Sequence, residues 1–154
     1  MDATILGIGF GNGRGATARF GFGDVPPTVT VWGAPFAVVG QIEALRSLDR
    51  ASSLVALDAG GDAEPTAWWT GACAALGVPV AVLRRDEWAA GVPKSMKVAF
   101  VERLRRSLTK QLGGAFPVCR PDEAGAVAVA LGVGMAATAE WEWRVAATRA
   151  MGAP

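Results

Sequence analysis

The chain has 154 residues, 51% of them apolar, with 15 basic and 14 acidic side chains and no histidine. That length suits one domain with a single buried core, and no apolar run nears the roughly 20 residues that a membrane span needs. The lack of histidine excludes imidazole chemistry and, in practice, zinc, and it removes Ser-His and Cys-His nucleophile pairs, leaving carboxylates, lysines and hydroxyls.

In chain order, residues 3–9 form an apolar strand that breaks into closely spaced glycines, and Ala16-Thr17-Ala18-Arg19-Phe20 then alternates apolar with polar. Alternation after a Gly/Asn-rich turn predicts a β-hairpin, with strands at 3–9, 15–22 and 28–32. Gly11-x-Gly13-x-x-Ala16 fits a loose dinucleotide-binding fingerprint. That fingerprint requires a helix after its glycines, and Thr17, Arg19, Gly21 and Gly23 make a poor one. Phe36, Val39, Ile42, Leu45 and Leu48 recur at helical spacing and predict an amphipathic helix from Pro35 to about Arg50. Leu54 to Leu57 read as a short buried strand ending at Asp58. Glu64-Pro65 opens a helix that Gly77 stops after Leu76. A fifth strand covers 78–83. Pro93 starts a helix to about Leu112, Pro121 starts another to about Met135, and a tail helix or extension at 138–154 holds Trp141 and Trp143. Cys73 and Cys119 have no second cysteine at metal spacing. The N-terminus lacks the layout of a secretion signal, which predicts a cytoplasmic protein that does not engage membranes.

Charge is unevenly spread. Residues 84–110 carry Arg84, Arg85, Lys94, Lys97, Arg103, Arg105, Arg106 and Lys110 against three acids, a net +5 in a chain whose total is +1. A local basic segment on a near-neutral protein points to a directed anionic partner. Asp58 stands where α/β folds place reactive groups, at the end of a central strand, although an aspartate before Ala-Gly-Gly also suits a loop turn. Asp122 and Glu123 follow an N1 proline, where acids stabilise a helix dipole without any metal. Arg103, Arg106 and Lys110 share one face of the 93–112 helix, apart from an apolar stripe of Phe100/Val101, Leu104, Leu108 and Leu112; a solvated face with Glu102 pairing to Arg106 is the alternative reading.

Four stretches together resemble the RuvC family of Holliday junction resolvases, within the RNase H-like superfamily, over roughly residues 4–132. They are the Gly7-Ile8 strand end, Asp58, Gly91-Val-Pro-Lys94-Ser95 and Pro121-Asp122-Glu123-Ala124-Gly125 through Ala130. The resemblance implies an α/β fold of the RNase H-like type. Its five-stranded mixed sheet has three antiparallel strands then two parallel ones, flanked by helices, in a single domain spanning 1–154. It also implies four metal-binding acids, of which two are present, Asp58 and Asp122, with Glu123 a further candidate. Glycine stands at the other two positions, Gly9 and Gly125. Lys94 corresponds to the lysine that faces the scissile phosphate. Arg84, Arg85, Lys94, Lys97, Arg103, Arg106 and Lys110 correspond to a DNA-facing surface. Mg²⁺ or Mn²⁺ would be the cofactor if the protein is active, and none otherwise. Branched DNA is the implied partner, and the 65–76 helix, with Ala67, Gly71 and Ala75 four apart, is the implied homodimer surface.

Three functions follow. The first is binding of branched DNA with catalysis impaired, since two cations held by several carboxylates are needed for phosphodiester hydrolysis. The second is a Mg²⁺- or Mn²⁺-dependent endonuclease with an altered site built from Asp58, Asp122 and Glu123 or Asp62. The third is a protein-interaction module using the tryptophan-rich surface. If Gly9 and Gly125 merely vacate ligand positions, restoring both aspartates should restore metal-dependent cleavage.

Overall fold

A computed structural model describes residues 4–11, 14–21, 27–32, 52–61, 63–95 and 97–152. The helix expected at 35–50 and Asp62 lie outside these residues. The strands are β1 (Thr4–Gly11), β2 (Arg14–Phe20), β3 (Thr28–Trp32), β4 (Ser52–Asp58) and β5 (Val80–Leu83). The helices are α1 (Ala63–Leu76), α2 (Arg85–Trp88), α3 (Phe100–Leu112) and α4 (Ala124–Gly152).

The sheet order is β3-β2-β1-β4-β5. β1, β2 and β3 form an antiparallel meander, whereas β4 joins β1 and β5 joins β4 in parallel. This is the five-stranded mixed sheet implied by the resemblance. The hairpin after β1 also removes the nucleotide-loop reading, because Arg14 begins a strand and not a helix. The apolar β1 lies at the centre, where both faces are covered. Leu6, Ile8, Val55 and Leu57 pack with Trp69 and Cys73 of α1 on one face. Ile5, Ala16, Ala18 and Ala56 pack with α3 and α4 on the other. Burial pushes the Cys73 thiol pKa up, so this cysteine belongs to the core.

The α4 face of β1 is unusual for its lack of side chains. Period 2 sends Ile5, Gly7 and Gly9 to the same side. A Cβ at Gly7 would lie 2.2 Å from the Ala130 carbonyl oxygen, and one at Gly9 would lie 2.2 Å from that of Ala126 and 2.5 Å from the Ala130 nitrogen. α4 therefore rests its backbone on the backbone of β1. Its small residues Ala126, Ala130 and Gly134, at helical i, i+4, i+8 spacing, form the matching side of the contact. Phe20 of β2 fills the space beside Gly134, where a Cβ would meet its ring at 2.2 Å.

Three boundaries differ from the sequence reading. α3 begins at Phe100, not at Pro93. Arg103 Nε donates to the Val98 carbonyl at 3.1 Å and Nη1 to that of Pro93 at 2.7 Å, so residues 93–95 and 97–98 are non-helical and held to the start of α3. Ser95 Oγ accepts from the Lys97 amide at 3.2 Å, a local turn that competes with helix. The short helix α2 was not foreseen. Finally, α4 starts at Ala124 and runs unbroken for 29 residues, absorbing the separate tail helix. Nothing between Met135 and Glu140 is a stop signal, and the run Ala136-Ala137-Thr138-Ala139 favours continuation. Among the described residues no helix is long and apolar enough to cross a membrane.

Candidate nucleic-acid interface and carboxylate positions

Asp58 ends β4 opposite Leu83 of β5. The parallel pairing therefore delivers the residues just after β5 to the Asp58 carboxylate. Arg85, the first residue of α2, donates from Nε at 3.0 Å and from Nη2 at 2.9 Å, both to Oδ2. Oδ1 accepts from the Gly60 amide at 2.9 Å and from Trp88 Nε1 at 3.1 Å. The Asp58 side chain is 4% exposed and that of Arg85 36%. A buried carboxylate needs such compensation, and here four N–H groups and one full positive charge supply it.

The surrounding aromatic residues fix this arrangement. The guanidinium carbon of Arg85 sits 4.1 Å from the Phe100 ring centroid, and that of Arg103 sits 5.7 Å from it. Trp88 meets Phe100 edge-on, with centroids 5.8 Å apart. The Trp88 ring in turn presses against Gly132 of α4, where a Cβ would come within 2.5 Å of it. Stacking and hydrogen bonding thus hold Arg85 and Trp88 from two sides.

The other carboxylate positions each have surroundings of their own. Position 9 is occupied by the approach of α4, so Gly9 leaves no cavity for a missing side chain. Gly125 is buried and faces α3, where a Cβ would lie 2.8 Å from Val101 Cγ1. Asp122 is half-buried; its Oδ2 accepts from Arg14 Nη2 at 3.2 Å, and its Oδ1 lies 3.3 Å from Arg120 Nε. Since Arg14 opens β2, this ion pair ties the entry of α4 to the β1–β2 hairpin. Glu123 Oε1 accepts from the Arg120 amide at 3.0 Å, which is the returning half of a capping box. Among the described residues, no three histidine, cysteine, aspartate or glutamate side chains are grouped to hold a metal ion. The donors that the described residues supply do not fit a pair of divalent cations.

The basic segment forms a groove of about 510 Å³ between the 91–98 loop and the outer face of α3, lined by Pro93, Ser95, Arg103, Arg106, Ser107 and Lys110 among others. Leu104 and Leu108 on the opposite face anchor α3 in the core. Lys94, Lys97 and Lys110 are exposed and have no carboxylate partner among the described residues. Arg106 shares Glu102 with Arg105, and these guanidinium partners, Arg105 first, hold the Glu102 carboxyl below the usual carboxylate range. Arg84 pairs with Asp86 at the surface.

By sequence, neither a family model nor a curated protein matches the chain. By structure it is similar to RuvC of Thermus thermophilus, with a TM-score of 0.53 and 22% identity over 89% of this chain and 96% of that one. It is also similar to the Fowlpox virus Holliday junction resolvase, with a TM-score of 0.56 and 13% identity over 90% and 99% of the two chains. The same Fowlpox virus enzyme in complex with substrate Holliday junction DNA gives a TM-score of 0.59 at 12% identity, over 90% and 98%. The chain has a RuvC-like resolvase fold.

On this RuvC-like fold the sequence-predicted residues fall into separate groups. Arg103, Arg106 and Lys110 share the groove, and Lys94 and Lys97 lie on the loop that borders it. Arg85, expected on the DNA-facing surface, is seated on Asp58 with 36% of its side chain exposed. Asp58 and Asp122 are each engaged with different cations. The sequence reading singles out neither Arg14 nor Trp88. The usable signal was topological: in two neighbouring parallel strands, a basic residue just after one lies beside an acid at the end of the other. Trp69 is a core residue and Trp68 stacks edge-on against it, 5.2 Å away.

Proposed function

We propose that the chain is a branched-DNA-binding member of this fold that grips phosphodiester backbone through the groove on α3 and does not cleave it. The observation that carries the non-cleaving reading is the saturation of both Asp58 oxygens by N–H donors, one of them a guanidinium. The groove supports the binding half. It sets Lys110, Arg103 and Arg106 beside the hydroxyls of Ser95 and Ser107, donors suited to phosphate oxygens. The likeness to a resolvase solved with Holliday junction DNA supports branched DNA as the ligand. A second copy of the chain would dock along α1, whose Ala67, Gly71 and Ala75 are all exposed. Such a dimer would present two grooves to a four-armed ligand.

Neutralising the groove and unmasking it should act in opposite directions. Lys110→Ala is expected to weaken junction binding and to lower the slope of log K against log salt by about 1. Glu102→Gln, which releases Arg105 and Arg106 from their shared carboxylate, is expected to tighten binding and steepen the slope. Fluorescence anisotropy on a labelled four-way junction at several salt concentrations reads both. Equal affinities and slopes for the wild type and both variants would refute the groove as the interface.

A further inference from the structure

We infer that Arg85 is the resident cation of this fold: its guanidinium takes the place on Asp58 that an exchangeable divalent ion would need. This deepens the non-cleaving reading above, but it rests on the Asp58 cluster and not on the groove. Its test accordingly reads stability and metal binding without DNA.

Charge matching argues for it first. With glycine at positions 9 and 125, and with Asp122 paired to Arg14 and Arg120, the negative charge that the described residues leave at the strand end is the carboxylate of Asp58. One guanidinium neutralises one carboxylate, whereas a dication there would remain uncompensated in a buried site. Geometry argues for it next. Arg85 reaches Oδ2 through two N–H groups, a fork that a point charge cannot reproduce. Its opposite contact is the face of Phe100 at 4.1 Å. Gly60 completes the seat, since a Cβ there would lie 2.5 Å from Arg85 Nε and displace it. The remaining oxygen, Oδ1, is taken by neutral donors from Gly60 and Trp88. No lone-pair direction is left open for a metal unless Arg85 leaves.

Thermal melting with millimolar Mn²⁺ tests the exchange directly. The wild type should melt at the same temperature with and without Mn²⁺, and titration followed by the electron paramagnetic resonance of free Mn²⁺ should show no ion bound in an Asp58-dependent way. Arg85→Ala should melt lower and regain part of the loss with Mn²⁺, and Arg85→Ala/Asp58→Asn should show no such recovery. Arg85→Gln replaces the alanine variant if the latter does not fold. Arg85→Lys should fall between wild type and alanine, because it keeps the charge and loses the fork. Two results would overturn the inference. One is Asp58-dependent stabilisation of the wild type by Mn²⁺. The other is the absence of any extra Mn²⁺ stabilisation in the Arg85 variants, which would make the contact an ordinary ion pair.

Discussion

Gly9→Asp is expected to unfold the protein and not to restore chemistry. The new Cβ would lie 2.2 Å from the Ala126 oxygen and 2.5 Å from the Ala130 nitrogen, both backbone atoms of α4. Carbon contacts settle near 3.5–4.0 Å, so the helix would have to retreat by more than about 1 Å along the central strand. That movement would open the cluster around Ala126 to Leu131, all of which is buried. Overpacking alone costs about 1–3 kcal/mol, and the carboxylate would also be pressed toward the Ala126 carbonyl oxygen in a buried place. We expect a loss of more than about 3 kcal/mol, a large share of the roughly 5–15 kcal/mol that holds a domain folded. Gly7→Ala, which adds a methyl group at the neighbouring contact and no charge, should shift the urea midpoint the same way by a smaller amount. A Gly9→Asp protein with a wild-type urea midpoint would contradict the backbone-to-backbone seating of α4 on β1. On this geometry glycine at position 9 serves packing, and the double aspartate reversion is expected to lose the fold before it can restore cleavage.

The second large effect is expected at Asp58. Asp58→Ala removes the acceptor of the Arg85 guanidinium, the Trp88 indole N–H and the Gly60 amide together. Breaking a fully buried pair costs about 3–5 kcal/mol; the partial exposure of Arg85 lowers this to about 2–3 kcal/mol. For a chain of this size that corresponds to a fall in Tm of roughly 4–12 °C. Trp88 gives a second readout. Freed from Oδ1, its ring is no longer fixed between Phe100 and Gly132, so near-ultraviolet circular dichroism should change along with Tm. A metal ligand without a structural role would behave differently, because removing its charge from an empty site leaves Tm unchanged or raised. An Asp58→Ala variant with wild-type Tm would therefore refute the structural role assigned to this carboxylate.

Much of this architecture is legible in the residues. The alternation at Ala16 to Phe20 identified a hairpin, and the apolar run ending at Asp58 located a strand and the acid at its end. What failed was tertiary in origin. The start of α3 depends on Arg103 reaching back to two carbonyls of the 93–98 loop, a contact between elements that local propensity does not encode, whereas Pro93 offers a plain helix-start signal. The seating of the α4 backbone on Gly9 is likewise a contact between distant elements. A paired pattern was nevertheless available: glycines two apart on a strand, with small residues four apart at Ala126, Ala130 and Gly134, mark two backbones in contact. The pairing of Arg85 is not legible locally, because its partner lies 27 residues away and meets it only through the β4–β5 register.

The most direct measurement is a gel-shift titration on a four-way DNA junction and on linear duplex, at two salt concentrations, with Mn²⁺ in parallel lanes. Junction-preferring binding that weakens with salt, with both DNAs intact in the Mn²⁺ lanes, is the expected result. Nicking of the junction in the presence of Mn²⁺, or equal failure to bind either DNA, would contradict a DNA-binding fold whose strand-end carboxylate is closed by its own arginine.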